Sequence, residues 1–447
     1  MIDHDSETAS THGESRPAPH PRATAGVVLV RDLEGEARYE VTPLPRAAST
    51  LGRGAECDVV IGDAAASRVH CRIEAHAGRL ELHDAGSRHG TWHNGVRIAG
   101  PKHLQQGDVV GVGETLFVVV LDALQAARPP AGGAGAKPLP AALTGSTWLN
   151  RALTLAARFG PSDLNLLITG ETGTGKEGVA RLLHEASGRA GPLLAVNCAA
   201  IPRDLAETQF FGFRKGAFSG AVEGGDGFFA AAKDGTLFLD EVADLDPSIQ
   251  AKLLRVLETG DYLPVGTSVA RRSTARVVAA ASREVRELVA KGTFRTDLYQ
   301  RLAGVEIWVP PLRERIEEIS LLVSSFVAPD GPRRFSKDAF AALLLHRYPG
   351  NVRELRRVVL SAALRAKDDG RELIALDDLE LYAAVEAPAE GDALSRAKPP
   401  AIEDLKRLLE NHRGNVSKVA AELGVHRAQI YRVLKEHDLS SASFRDD

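Results

Sequence analysis

Gly170-Glu171-Thr172-Gly173-Thr174-Gly175-Lys176-Glu177 decides how this chain reads. Directly before it, Leu164-Asn165-Leu166-Leu167-Ile168 is an apolar run short enough for a buried strand. Directly after it, Gly178-Val179-Ala180-Arg181-Leu182-Leu183 has the texture of a helix. A strand, a glycine loop and a helix N-terminus in that order make a phosphate cradle. The glycines let backbone N–H groups turn toward a polyphosphate, the helix end adds partial positive charge, and Lys176 reaches the β- and γ-phosphates. The expected ligand is ATP or GTP. Glu177 stands where the general pattern has the Ser or Thr that ligates magnesium, so metal coordination must lean on other groups.

Working outward, two more apolar runs end in polar groups. Thr236-Leu237-Phe238-Leu239 leads into Asp240-Glu241, and Val277-Val278-Ala279-Ala280 into Ala281-Ser282-Arg283. With 164–168 they read as neighbouring strands of a parallel sheet, whose ligands bind at the carboxyl ends. Asp240 is then placed to hold magnesium through water and Glu241 to orient or activate the attacking water. Taken alone, an acidic pair after a strand also fits a helix N-cap. Arg295 and Arg301 lie in a helical segment, where they read either as solvated surface charges or as arginine fingers that reach a neighbouring subunit's γ-phosphate. Fingers acting in trans require a ring-like head-to-tail oligomer.

A length of 447 residues gives room for two to four domains. With 44% hydrophobic and 26% charged residues the composition is that of an ordinary soluble protein. A net charge of -4 excludes a surface coated in nucleic acid, so any DNA contact is local. Three cysteines, Cys57, Cys71 and Cys198, form neither a metal pattern nor a disulfide framework, which fits a reducing cytosol. No apolar run approaches membrane-spanning length, and the expectation is a cytoplasmic protein with no membrane contact.

Residues 1–24 are rich in Ser, Thr, His and Pro and read as a disordered tail. From 25 to 122, short apolar runs at 27–30, 59–61, 71–73, 80–82, 109–112 and 116–121 alternate with turn signals, the pattern of a β-sandwich. Within it stand Gly52-Arg53, Ser67-Arg68-Val69-His70 and Asp84-Ala85-Gly86-Ser87-Arg88-His89-Gly90-Thr91-Trp92-His93-Asn94-Gly95. These clusters resemble the forkhead-associated (FHA) domain, a family that binds phosphothreonine peptides through loops at one end of the sandwich. The resemblance implies that Arg53 and Ser67 hold the phosphate, that Arg68 and Arg88 sit beside the peptide, and that Gly52, His70 and Asn94 shape the loops. A planar guanidinium suits a phosphate dianion. His89 stands where the family has Asn to bind the peptide backbone, which shifts peptide preference. A Pro/Gly/Ala-rich linker occupies 123–142.

From 143 to about 382 the chain resembles the AAA+ domain of bacterial enhancer-binding proteins, the activators of sigma-54 RNA polymerase. The resemblance rests on 170–177, on Val196-Asn197-Cys198-Ala199-Ala200, on 235–241, on 294–302, on Pro310-Pro311-Leu312-Arg313-Glu314-Arg315 and on Tyr348-Pro349-Gly350-Asn351-Val352-Arg353-Glu354-Leu355. Above all it rests on Gly216-Ala217-Phe218-Ser219-Gly220-Ala221, a stretch suited to a mobile loop with one aromatic anchor. It implies an α/β subdomain at 143–308 and a helical lid at 309–384. It further implies that 216–221 contacts sigma-54, that Asn197 pairs with Glu241 as a switch, that Arg295 and Arg301 are fingers and that Arg353 is the lid's sensor arginine. Two positions depart from the family: Ser219 replaces Thr, and Ala281-Ser282 replaces Thr-Asn.

After a second linker, 385–400, residues 401–447 carry helical spacing in Ile402, Leu405, Leu408 and Leu409, then in Val416, Val419, Ala420 and Leu423. Gly424-Val425 turns into a last helix with Ile430, Val433 and Leu434 inward. This fits a helix-turn-helix, with His426, Arg427, Gln429, Tyr431, Arg432 and Lys435 left to face base edges and phosphates. The stretch resembles the Fis-type DNA-binding domain, which implies dimeric binding to inverted repeats. The expectation is an ATP- and Mg2+-dependent activator acting on sigma-54 RNA polymerase holoenzyme from upstream double-stranded DNA. Its other expected partners are a phosphothreonine protein or peptide and its own copies, a dimer assembling to a hexameric ring. A DNA-binding repressor and a phosphopeptide-binding scaffold without sigma-54 activation are the alternatives.

Overall fold

Strand formation in the first unit follows the alternation of apolar and turn residues. β1 (Gly26–Arg31), β2 (Ala37–Pro43), β3 (Ala48–Gly52), β4 (Val59–Val60), β5 (Cys71–His76), β6 (Arg79–Asp84), β7 (Thr91–His93), β8 (Val96–Arg97), β9 (Lys102–Leu104), β10 (Val109–Val112) and β11 (Thr115–Val120) make two sheets. Their orders are β2-β1-β11-β10-β7-β8 and β4-β3-β5-β6-β9. Asn94 and Gly95, at φ 48 and 78, form the two-residue turn between β7 and β8 that positive φ angles demand. Val27, Leu51, Ile73, Leu82, Val110, Phe117 and Val119 fill the space between the sheets. The computed structural model describes residues 25–44, 47–76, 79–123, 147–219, 221–282, 285–327, 331–381 and 402–412, together with 419, 422, 430, 433 and 434.

The second unit is an α/β layer. It comprises α1 (Thr147–Phe159), β12 (Leu166–Thr169), α2 (Lys176–Ser187), β13 (Leu193–Asn197), α3 (Arg203–Phe211), β14 (Thr236–Asp240), α4 (Pro247–Thr259), β15 (Asp261–Tyr262), β16 (Arg271–Arg272), β17 (Arg276–Ala281), α5 (Thr296–Leu302) and β18 (Val305–Trp308). The five-stranded sheet runs β13-β14-β17-β12-β18 and is parallel throughout. Alternate residues of each strand enter different cores: Leu237, Leu239 and Val277 on one face, Phe238, Val278 and Ile168 on the other. Burial on both faces is why these strands read as unbroken apolar runs.

The lid begins with the tight turns Leu312–Glu314 and Ile316–Glu318 and continues through α6 (Ile319–Phe326), α7 (Lys337–Leu345) and α8 (Asn351–Asp368). Ser336 caps α7 by accepting from Ala339 N. The lid core, with Ile319, Val323, Phe335, Phe340 and Tyr348, is continuous with Val28, Val30, Leu116, Val118 and Val120 of the sandwich. Beyond the lid lies α9 (Ile402–Asn411), with Leu405 and Leu409 buried; Val419, Ile430, Val433 and Leu434 are buried too.

The chain is thus an all-β sandwich, an α/β P-loop unit with a helical lid, and an α-helical C-terminal module. The tail 1–24, the linkers apart from Ala123, Gly220, and His426, Arg427, Gln429, Tyr431, Arg432 and Lys435 lie outside the described residues. Among the described residues no helix is long and apolar enough to cross a membrane.

One buried acid in the lid has a pH consequence. Glu317 is 2% exposed with Oε2 unpaired, and burial, with Glu318 beside it, pushes its pKa up to about 8. The folded state therefore holds a proton that the unfolded chain releases near its ordinary value of about 4.3. Stability falls as pH rises between those two values. Glu317→Gln removes that loss, so its melting temperature exceeds the parent's by a margin that widens from pH 5 to pH 8, measured by calorimetry.

Candidate active site

Four strand ends converge. Asn197 lies beside Asp240 in the register of β13 and β14, and Thr169 beside Ala281 in that of β12 and β17. Gly170, Gly173 and Gly175 take φ 150, 79 and 101, which favour glycine. A Cβ on Gly173 would lie 2.5 Å from Gly350 O, so the loop is pressed against the lid. Thr174 Oγ1 donates to Glu171 O, while Lys176 Nζ donates to Gly170 O at 3.0 Å and Glu171 O at 3.2 Å. Burial lowers the Lys176 pKa, opposed by the charges of Glu241 and Asp240; Arg353 stands near enough to lower it further. Glu177 is exposed, paired with Arg181 at 3.4 Å.

Glu171 turns toward the lid instead of the phosphate cradle. Its carboxylate takes a bidentate pair from Arg313 at 2.9 and 2.6 Å and a third bond from Asn351 Nδ2. Asn351 is fully buried at φ 52; its Nδ2 also donates to Thr172 O, and its Oδ1 accepts from Leu312 N at 2.8 Å. Arg353 N reaches Gly173 O at 3.3 Å, and buried Arg315 donates to Thr174 O at 2.6 Å under the ring of Trp148. Asn351, Arg313 and Arg315 were not among the expected site residues, although the motifs around them were. Their signal was a Tyr-Pro-Gly-Asn turn, where Asn tolerates positive φ, and an arginine pair after two prolines.

Asp240 is half-buried, and burial together with the Glu241 charge raises its pKa. Glu241 sits at φ 54 and ψ 47, strained for a residue with a side chain. Its Oε2 accepts from Ser282 N at 3.0 Å and from Ser282 Oγ at 2.5 Å. The expected pair of Asn197 with Glu241 is not formed here. Asn197 Oδ1 instead caps the following turn by accepting from Ala199 N at 3.0 Å, and Ser282 supplies both donors that Glu241 holds. Two crowded carboxylates beside a lysine fit a magnesium ion, which takes one or two protein carboxylates and completes its shell with phosphate oxygens and water.

Arg295 stands just before α5 and pairs with Asp297 at 2.7 Å; Arg301, in α5, donates to Leu257 O at 2.9 Å. Both are exposed. The 216–221 loop projects from a knot in which Arg214 N donates to Val265 O and Gly216 N to Ala221 O. Phe218 is 46% exposed, its ring 5.2 Å from that of Phe213, with Ala217 and Ser219 beside it.

In the sandwich the expected phosphopeptide residues meet at one end. Arg53 N donates to Ser67 O and Arg53 Nε to Ala66 O; Ser67 Oγ accepts from Arg88 N at 3.0 Å, and the His89 ring lies 3.0 Å from Ala65 O. Arg68 is exposed beside them. His70, buried, accepts from Ser67 N, and burial lowers its pKa, so it stays neutral as a loop brace. A Cβ on Gly52 would lie 2.2 Å from Arg68 O.

Family models match in order along the chain: FHA domain at 49–113, Sigma-54 interaction domain at 143–308, AAA+ ATPase lid domain at 313–396 and Bacterial regulatory protein, Fis family at 404–437. The DNA-binding transcriptional regulator NtrC of Azospirillum brasilense is 38% identical over 370 residues, covering 72% of this chain and 76% of that one. The chain belongs to the sigma-54 regulator family. The transcriptional regulatory protein GlrR of Escherichia coli K12 is 35% identical, with 74% of this chain and 75% of GlrR covered. The nitric oxide reductase transcription regulator NorR1 of Cupriavidus necator is 42% identical over 303 residues. That alignment covers 61% of this chain and 59% of NorR1, so the chain spans less than two thirds of that relative.

Removing the Asn351 carboxamide leaves the buried Leu312 N–H of the lid unpaired, at a cost of about 1–3 kcal/mol, and cuts the lid's bonds to Glu171 and Thr172 O of the loop. Asn351→Ala is expected to weaken ADP binding by about tenfold or more in calorimetric titration, with Arg295→Ala within twofold of the parent.

Proposed function

We propose that this sigma-54 regulator hydrolyses ATP at the 170–177 loop and uses the cycle to remodel sigma-54 RNA polymerase holoenzyme through Phe218. Its C-terminal module holds it on upstream DNA, and its FHA domain reads a phosphothreonine partner, in the cytoplasm. The observation that carries this reading is the presence, on one α/β unit and its lid, of a lysine-bearing phosphate cradle, the Asp240–Glu241 pair, the lid arginines and an exposed aromatic loop. The domain limits proposed above are part of the same reading.

In this mechanism the N–H groups of 170–177 and Lys176 hold the polyphosphate, and Lys176 exchanges its bonds to Gly170 O and Glu171 O for phosphate oxygens. Asp240 would hold a magnesium ion, which would supply counter-charge to the polyphosphate. Glu241 aims the attacking water once it leaves Ser282. Arg353 approaches from the lid. Arg295 and Arg301, exposed on α5, are presented to a neighbouring copy, which supports a homo-oligomer built from dimers into a hexameric ring. His426, Arg427, Gln429, Tyr431, Arg432 and Lys435 make the DNA contacts, and Arg53, Ser67, Arg68, Arg88 and His89 the phosphopeptide contacts.

A second reading, an assembly ATPase that turns over little, draws on the double hydrogen bond that holds Glu241 on Ser282. Phosphate release, together with open-promoter formation by sigma-54 holoenzyme on a template bearing the chain's DNA site, separates the two. The activator reading predicts ATP-dependent promoter opening that Lys176→Ala abolishes; hydrolysis without opening contradicts it. Glu241→Gln is expected to lower kcat by about 10²–10⁴-fold while ATP still binds. Ser282→Ala, which frees Glu241 of one donor, is expected to raise kcat with KM for ATP unchanged; a fall in kcat would assign Ser282 a direct part in turnover.

A further inference from the structure

The outer face of an antiparallel sandwich sheet ordinarily meets water and reads polar. Here β1, β10 and β11 are buried on both faces. Val27, Val110, Phe117 and Val119 enter the sandwich core, while Val28, Val30, Val109, Leu116, Val118 and Val120 point outward into the lid core. Those six outward residues are at most 2% exposed. The lid seats α6 on β1 and β2, and α7 on β10 and β11.

A polar seam runs beside this apolar one and leads to the phosphopeptide loop. Arg31, 4% exposed, donates from Nε to Phe335 O at 2.9 Å and from Nη1 to Glu114 O. Lys337 of α7 donates to Gly113 O and lies over the Trp92 ring. Lys337 of the lid thus holds one carbonyl of the 113–114 turn, and Arg31 of β1, itself bonded to Phe335 O of the lid, holds the other. From the other side, buried Asp63 holds the same turn, accepting from Glu114 N at 2.5 Å, while its second oxygen accepts from Ala65 N at 2.8 Å. Ala65 O meets His89, and Ser67 follows two residues later with Arg88 N on its hydroxyl. A phosphate that takes the Ser67 hydroxyl proton and the arginines adds its bonds to the segment Asp63 anchors.

The lid's other side rests on the nucleotide loop. Within residues 312–318, Arg313 pairs with Glu171 and Arg315 donates to Thr174 O, while Ile316 packs into the core shared with the sandwich. One short segment is held between the P-loop and the FHA domain.

We propose that the FHA domain is a built-in wall of the ATPase lid, and that the phosphothreonine loop and the nucleotide loop bias one another through Asp63, the 113–114 turn, Lys337 and the 312–318 segment. This rests on the function proposed above and names its regulation. Coupling of this kind is reciprocal: if a phosphopeptide changes nucleotide affinity, nucleotide changes phosphopeptide affinity by the same factor. In the docked arrangement the Ser67 hydroxyl accepts from Arg88 N and keeps its own proton for a phosphate, so the loop that nucleotide steadies through the lid is the loop the phosphopeptide binds.

The test uses the full chain and a fluorescent peptide pool with a fixed central phosphothreonine and randomised flanks, titrated with and without saturating ADP, the unphosphorylated pool serving as control. ADP is expected to change the affinity for the phosphorylated pool by at least about threefold. Lys337→Met, which keeps the stem over Trp92 and loses only the amine, is expected to bind the pool but to lose most of the ADP effect. Its melting profile checks that it remains folded. Equal affinity with and without ADP in the parent chain overturns the coupling and leaves the phosphopeptide reading standing. Failure to prefer the phosphorylated pool overturns both.

Discussion

A single buried carboxamide, that of Asn351, joins the nucleotide loop to the lid. It takes a left-handed conformation, bonds Thr172 O and Glu171 from one end and Leu312 N from the other, and so fixes the start of α8 against the start of the lid. Arg313 and Arg315 extend the same contact on either side. Everything beyond the lid inherits its position from this joint. The lid carries the sandwich on its far surface, and Arg353 follows Asn351 on α8, so Arg353 and the FHA domain are borne by the same body.

Strain and burial meet where chemistry is proposed. Glu241 is held at positive φ by Ser282, Asp240 beside it resists ionisation because burial and its neighbour's charge oppose it, and Lys176 is folded onto loop carbonyls. Each of these costs falls when a polyphosphate and a hard cation enter, because the lysine gains phosphate partners and the carboxylates gain a counter-charge. The cradle is therefore arranged so that binding relieves it.

Much of the fold was legible in local pattern. The runs at 166–168, 237–239 and 277–280 are apolar without alternation because both faces of a parallel sheet are covered, and each ends at the polar residue that lines the site. The strands β2, β3 and β7 to β9 were harder to see: they are short or mix polar with apolar residues. The Asn197–Glu241 pairing was inferred from resemblance, and here Ser282, one strand over, takes the glutamate; the short hydroxyl at that position was the available signal. The sandwich–lid joint depends on contacts about 300 residues apart, such as Arg31 with Phe335. Its trace in the sequence was Leu116-Phe117-Val118-Val119-Val120, unbroken where a one-sided strand would alternate. Read as a strand, it said nothing about what covers the second face.

The central claim is that nucleotide chemistry at 170–177 is delivered to sigma-54 by the loop that carries Phe218. It is tested most directly by binding of the purified chain to purified sigma-54 with ADP and a metal fluoride that mimics the transferring phosphate, against ADP alone and against Phe218→Ala. The account predicts a complex that forms with the transition-state mimic, fails with ADP, and is lost in Phe218→Ala although that variant still binds the mimic. A chain that holds the mimic and assembles but does not bind sigma-54 would contradict it.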